Sequence, residues 1–144
     1  YNHYISDATR TFGLGKISNE AKQVYNIVKT SQEEGVKQIE KTDNFSDIDS
    51  TCRNIIADGG YGQYFIHSTG HGIGLEVHEP PWIRSNCSSF FQENMAVTIE
   101  PGIYLHNKFG VRIEDSIILK RMMKDESKFG SINLHSFTKD LLVI

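Results

Sequence analysis

GHGIGLEVHE at residues 70–79, read with TIEPGIY at residues 98–104 and GVRIED at residues 110–115, sets two histidines and two separated glutamates in short segments punctuated by glycine. Histidine and carboxylate side chains gathered on a β scaffold are metal-ligand chemistry. The stretches at 96–100 and 111–119 both read as strands, with Pro101, Gly102, Asn107 and Gly110 between them, so the simplest arrangement is an antiparallel pair. Symmetric pairing about Asn107 places Glu100 opposite Glu114. Two carboxylates facing each other across a ladder repel unless one is protonated or a cation lies between them. Arg112 falls on the same strand face as Glu114, where it can orient a carboxylate or a substrate group.

Around the histidines the pattern is less regular. His71 lies between Gly70 and Gly72, where backbone can approach another group closely. His71 and His78 would occupy opposite faces of a flat strand and can share a site only if the glycines at 70, 72 and 74 permit a bend or bulge. His67 precedes His71 at the spacing of a helical zinc pair, but the surrounding glycines disfavour a helix. His3, His106 and His135 have no such company and are left out of the site.

Outward from this region, residues 4–12 read as a strand ending at Gly13 and Gly15, with Asp7 in its middle and Tyr1 inside the same extended run. Ser18 is a candidate cap for a helix over residues 19–34, with Gly35 interrupting the pattern. Ser46 or Asp47 caps a second helix bearing Ile48, Cys52, Ile55 and Ile56, stopped by Gly59 and Gly60. Further strands are expected at 64–68, 70–78, 96–100 and 111–120, with 80–94 an irregular connection. The apolar end at Leu141 to Ile144 is expected to be a final packed element.

The 144 residues suit one domain. A net charge of -3 argues against a nucleic-acid partner, and Lys120, Arg121 and Lys124 read as a solvated turn. No apolar run reaches the roughly 20 residues of a membrane helix, and no leader pattern is evident, so no membrane association and a cytoplasmic location are expected. Cys52 and Cys87 form no CxxC pair and suggest neither a disulfide framework nor a thiolate zinc site.

YISDATRTFGLG at 4–15, GHGIGLEVHE, TIEPGIY and GVRIED together resemble, in order, the signature of the metallopeptidases that include Xaa-Pro aminopeptidase, Xaa-Pro dipeptidase (prolidase), methionine aminopeptidase and creatinase. The resemblance implies an α+β, pita-bread fold, a curved antiparallel sheet with covering helices. Residues 1–144 would be a partial catalytic domain, N-terminally truncated, with the start of that domain and an N-terminal domain missing. Carried over, Asp7 bridges two divalent metal ions, His71 and Glu100 bind one of them, and Glu114 bridges from the other side. His78 contacts the substrate carbonyl or stabilises the tetrahedral intermediate, Glu100 shuttles a proton to the leaving amine, and His67 and Arg112 line the site. Manganese suits such oxygen-rich ligation with a single imidazole, with cobalt or zinc as alternatives. Two ions about 4 Å apart hold a hydroxide at neutral pH and polarise the scissile carbonyl.

The arginine-containing last motif resembles the proline-specific branch, whose substrate is a peptide with proline at the second position, rather than methionine aminopeptidase. Creatinase, on the metal-free side of the fold, is disfavoured by the full set of ligand residue types. A homodimer is the expectation from the family. The family's first aspartate ligand falls ahead of the first residue of this sequence, so the chain alone is expected to bind one ion tightly, at His71 and Glu100, and the second weakly. The alternative from another class is a non-catalytic binding module of the same fold.

Overall fold

The computed structural model describes residues 2–144; the expected placement of Tyr1 in a strand lies outside the described residues. Helix α1 spans Asn19–Gln38, and the Ser18 side chain caps it by accepting from the Ala21 N–H at 3.1 Å. Val24, Tyr25, Val28, Ser31, Gln32 and Gly35 fall on its buried face. The helix passes through Gly35 rather than stopping there. A Cβ at this position would meet Cys52 Sγ at 2.5 Å, so the residue serves the approach of two helices and not a terminus.

The second of these, α2, spans Phe45–Asp58 and is capped by Asn44, two or three residues ahead of the Ser46 or Asp47 expected, because the side-chain carbonyl oxygen of Asn44 accepts the Ser46 N–H at 2.9 Å. Ser31 and Cys52 tie the helices together, each side chain donating to the other residue's carbonyl. Both cysteines are free, as expected, and burial pushes the Cys52 thiol up to about 12, so it behaves as an inert core residue.

After a short 3-10 turn at Gly62–Tyr64, seven strands follow: β1 (Gly70–Gly72), β2 (Glu79–Ile83), β3 (Ala96–Ile99), β4 (Gly102–Leu105), β5 (Phe109–Arg112), β6 (Asp115–Met122) and β7 (Asp125–Asn133). Five form an antiparallel sheet in the order β2-β1-β3-β6-β7, and β4 and β5 form a hairpin. Both helices lie against this β structure, α1 on β3, β4 and β5 and α2 on β2. The core between them includes Tyr25, Phe45, Ile99, Ile103, Ile113 and Ile117.

The pairing about Asn107 holds through both sheets. Gly102 opposite Arg112 in the hairpin and Ile99 opposite Asp115 in the larger sheet belong to one continuous alignment, in which Glu100 falls opposite Glu114. At that rung the ladder breaks, because Glu100 N–H donates to the Thr69 carbonyl at 2.7 Å and Glu114 exchanges backbone hydrogen bonds with Thr9. The expected strand at 111–120 is therefore two strands, β5 and β6.

Other expectations are corrected. Residues 4–12 are extended but form no ladder strand, since their backbone bonds go in turn to Gly74 and Glu114, and from Gly13 to Leu142, three different segments. Residues 64–68 are irregular beyond the 3-10 turn. The 70–78 strand ends at Gly72, and residues 73–78 form a loop. Part of the expected 80–94 connection is strand β2, which carries a cis Pro80-Pro81 bond. At the end of the chain Leu141 packs on the core, but Leu142, Val143 and Ile144 are exposed, and the segment is tied to residues 13–15 by backbone hydrogen bonds from Gly13 to Leu142, from Ile144 to Gly13 and from Gly15 to Ile144. Strand β7, which sequence reading passes over, is largely exposed and polar, so it lacks an apolar alternation strong enough to mark it. In the basic cluster, Arg121 is not simply solvated: its guanidinium sits 4.2 Å from the centroid of Phe129.

Gly70 makes the closest approach to neighbouring backbone. A Cβ there would lie 1.9 Å from the Thr98 carbonyl oxygen on β3, and backbone cannot turn aside as a side chain can. Gly70→Ala is expected to destabilise the protein by about 1–3 kcal/mol, the usual range for overpacking, and a thermal melt of the variant within a degree of wild type would contradict this packing.

Candidate metal centre

Asp7, His71 and Glu114 converge, with one ligand atom of each within 4.8 Å of the others. The extended segment that brings Asp7 is pinned from behind, its carbonyl accepting from the Ser116 hydroxyl at 2.7 Å and from His135 Nε2 at 2.9 Å. His135, set aside on the sequence, thus holds the backbone of a candidate ligand, and no spacing in the chain signals it.

His71 is buried on β1. Its Nδ1 lies 2.9 Å from the Gly72 carbonyl, which can only accept, so Nδ1 carries the proton and Nε2 faces the acids. Nε2 stands 3.1 Å from Glu100 Oε1 and 3.9 Å from Asp7 Oδ2. Burial opposes a charge on His71, but hydrogen bonds to Glu100 and the Gly72 carbonyl outweigh it and raise its pKa; burial likewise opposes ionised Glu100, and the His71 partner still holds that carboxyl below its usual range. Thr98 steadies both, donating its hydroxyl proton to Glu100 at 3.1 Å and accepting the His71 N–H at 3.1 Å.

Glu114 is 1% exposed. One carboxylate oxygen accepts from Thr9 Oγ1 at 2.5 Å, and the other, fully buried, has no hydrogen-bond partner among the described residues. Burial, with the carboxylates of Glu100 and Asp7 adding to it against the Thr9 hydrogen bond, pushes its pKa up to about 7. An unpartnered buried carboxylate oxygen beside a second carboxylate and an imidazole is a cost that a divalent cation removes. The residues present therefore fit a metal: oxygen donors dominate, with one imidazole.

The remaining expected residues surround this group. The β1–β2 register shifts between His71 and Gly72, supplying the required bulge, and the 73–78 loop returns His78 so that its ring centroid lies 4.4 Å from that of His71. Trp82, opposite His71 on β2, stacks on His78 with centroids 6.2 Å apart. Arg112 reaches Glu114 through Thr9, whose hydroxyl accepts from Arg112 Nε at 3.0 Å and donates to Glu114. His67 Nδ1 donates to the Ser68 carbonyl at 2.7 Å, leaving Nε2 to accept from the Tyr104 hydroxyl at 2.8 Å. Sequence reading missed Thr9 and Tyr104 in these links, although Thr9 follows Asp7 at the two-residue spacing of one extended face.

The model of metallopeptidase family M24 matches residues 1–121. The Xaa-Pro dipeptidase of Pyrococcus horikoshii is 45% identical over 131 residues, covering 88% of this chain and 37% of that protein. Among solved structures, an Xaa-Pro dipeptidase from Bacillus anthracis superposes with a TM-score of 0.91 at 41% identity, over 100% of this chain and 39% of the other. An X-Pro aminopeptidase from Thermotoga maritima gives 0.89 at 40% identity, again over 100% of this chain and 39% of its own. The pita-bread α+β fold expected from the motifs is the fold of this chain, which spans a little over a third of the length of the relatives it matches.

Proposed function

The chain belongs to metallopeptidase family M24, and on that premise we propose that the protein it forms part of is a metal-dependent peptidase that hydrolyses the bond between an N-terminal residue and proline, as an Xaa-Pro dipeptidase or aminopeptidase. Residues 1–144 would be part of its catalytic domain. The observation that carries the reading is the buried, unpartnered oxygen of Glu114 beside Asp7 and His71.

Asp7, His71, Glu100 and Glu114 would hold two divalent ions, with manganese favoured by the oxygen-rich set and cobalt or zinc as alternatives. When bound, such ions supply a nucleophile at neutral pH and polarise a carbonyl. This chain's residues do the rest. His78, whose ring stacks on Trp82, would donate to the substrate carbonyl oxygen as charge builds there. Glu100, held between His71 and Thr98, passes a proton to the proline nitrogen as the peptide bond breaks. Arg112 and His67, joined through Tyr104, which sits beside the Arg112 guanidinium, line the substrate's approach. A homodimer in the cytoplasm is the setting we propose; among the described residues no helix is long and apolar enough to cross a membrane.

The test is turnover by the full-length protein. With manganese it should release proline from an Xaa-Pro dipeptide, or the first residue from an Xaa-Pro-Xaa tripeptide, and a chelator should stop the reaction. Equal cleavage of the Xaa-Ala counterparts would remove the proline specificity from the reading, and no cleavage with any divalent metal would remove the peptidase.

A further inference from the structure

An ion pair buried at one end joins α2 to the 65–69 segment that carries His67. Asp49 is completely buried, and Arg53, one turn along α2, grips it with Nε at 2.7 Å and a terminal nitrogen at 3.1 Å. Spacing of this kind on a helix is ordinarily an exposed pair of little consequence. Here the guanidinium continues past its partner. It donates to the Phe65 carbonyl at 3.2 Å and to the His67 carbonyl at 2.6 Å, and lies 4.4 Å from the centroid of the Phe65 ring, whose edge contact with His67 spans 5.2 Å between centroids. Asp49 also accepts from the Thr69 hydroxyl at 2.7 Å, and the Thr69 carbonyl accepts the N–H of Glu100.

Residues 65–69 form no ladder strand, so their carbonyls depend on such partners. We infer that Arg53, locked on Asp49, is a positioning residue that fixes the 65–69 segment and thereby aims the His67 imidazole at Tyr104 and the substrate side of the metal centre. Planar, fork-shaped donation to a carboxylate and two carbonyls at once is something lysine cannot reproduce. The effect on turnover rests on the peptidase reading; the clamp itself does not.

Arg53→Lys keeps a charge for Asp49 and tests the geometry. In the full-length protein, kcat/KM on an Xaa-Pro dipeptide should fall about tenfold or more, since misplacement of a positioned group by a fraction of an ångström to an ångström costs on this scale. Manganese affinity by calorimetry should fall by less than turnover does, because Arg53 contacts no candidate ligand and reaches Glu100 only through Asp49 and Thr69. In a double-mutant cycle, His67→Ala combined with Arg53→Lys should be no worse than His67→Ala alone. Losses that multiply, or unchanged turnover in Arg53→Lys, would overturn the inference. Backbone hydrogen exchange gives a reading independent of turnover: residues 65–69 should exchange faster in the variant while α1 is unchanged, and equal protection at 65–69 would also overturn it. If wild type cleaves no Xaa-Pro peptide, the peptidase reading fails while the exchange result still decides the clamp. Arg53→Gln combined with Asp49→Asn, which removes both charges together, gives the same comparisons should the lysine variant melt early.

Discussion

Glu114→Gln in the full-length protein is expected to lower manganese-dependent Xaa-Pro cleavage by more than about a hundredfold, beyond what changes to outer-shell partners of a metal site usually cost. The reason is the oxygen that Glu114 leaves without a hydrogen-bond partner in the buried cluster with Asp7 and His71. Glutamine keeps an acceptor for Thr9 but carries no charge for a cation. The same substitution should act with the opposite sign on the metal-free protein. With its pKa pushed up to about 7 from an ordinary 4.5, wild-type Glu114 binds a proton more readily folded than unfolded. Metal-free stability therefore falls as pH rises from about 4.5 to 7 and levels off above. Glutamine removes that dependence.

In chelator at pH 8 the variant should melt at or above wild type, while the rise in melting temperature that manganese gives wild type should disappear. A variant that is less stable without metal and still stabilised by manganese would mean that Glu114 is a structural carboxylate and not a ligand.

The site was legible to the extent that its chemistry is carried by residue type and register. Glu100 and Glu114 could be set opposite each other from the position of Asn107 alone, because antiparallel pairing about a turn fixes every rung. What the sequence could not convey is that the ladder breaks at that rung, since this depends on Thr9 and Thr69 arriving from distant segments. His71 and His78 required a bend that the glycines permitted but did not specify; the bulge and the 73–78 loop provide it. Gly35 was read as a helix interruption because glycine lowers helix propensity, whereas the nearness of Cys52 on another helix gives it a packing role that no local window contains. Asp49 and Arg53 give no signal in the sequence for the same reason: an i,i+4 spacing alone describes an exposed helix pair, and only the folded chain buries the aspartate.

Asp115, adjacent to Glu114, is expected to be among the most costly positions to neutralise. It is fully buried and accepts from Arg10 at 2.6 Å, Lys139 at 2.6 Å, Asn133 at 2.7 Å and Gln32 at 3.2 Å, joining the Asp7 segment, the end of the chain, β7 and α1 at one carboxylate. Arg10 also donates to the Glu114 carbonyl at 2.7 Å, so the network supports the metal centre as well as the core. Asp115→Asn leaves Arg10 and Lys139 facing no negative charge. Stranding buried charge costs 3–5 kcal/mol in general; Lys139 keeps some contact with water, which points to the lower end, about 3 kcal/mol and a melting temperature lower by on the order of 10 °C.

The pH dependence identifies the cause. Burial opposes the ionised form, but hydrogen bonds from Lys139, Arg10 and Asn133 outweigh it, so the folded pKa lies below the ordinary 3.8. The stabilisation is therefore complete above about pH 4 and is lost as pH falls through the folded value. The gap between wild type and Asp115→Asn should be widest near neutrality and should close as the solution is acidified below pH 4. A gap that stays constant down to pH 2 would show that the cost comes from altered packing and not from the charge that Arg10 and Lys139 share.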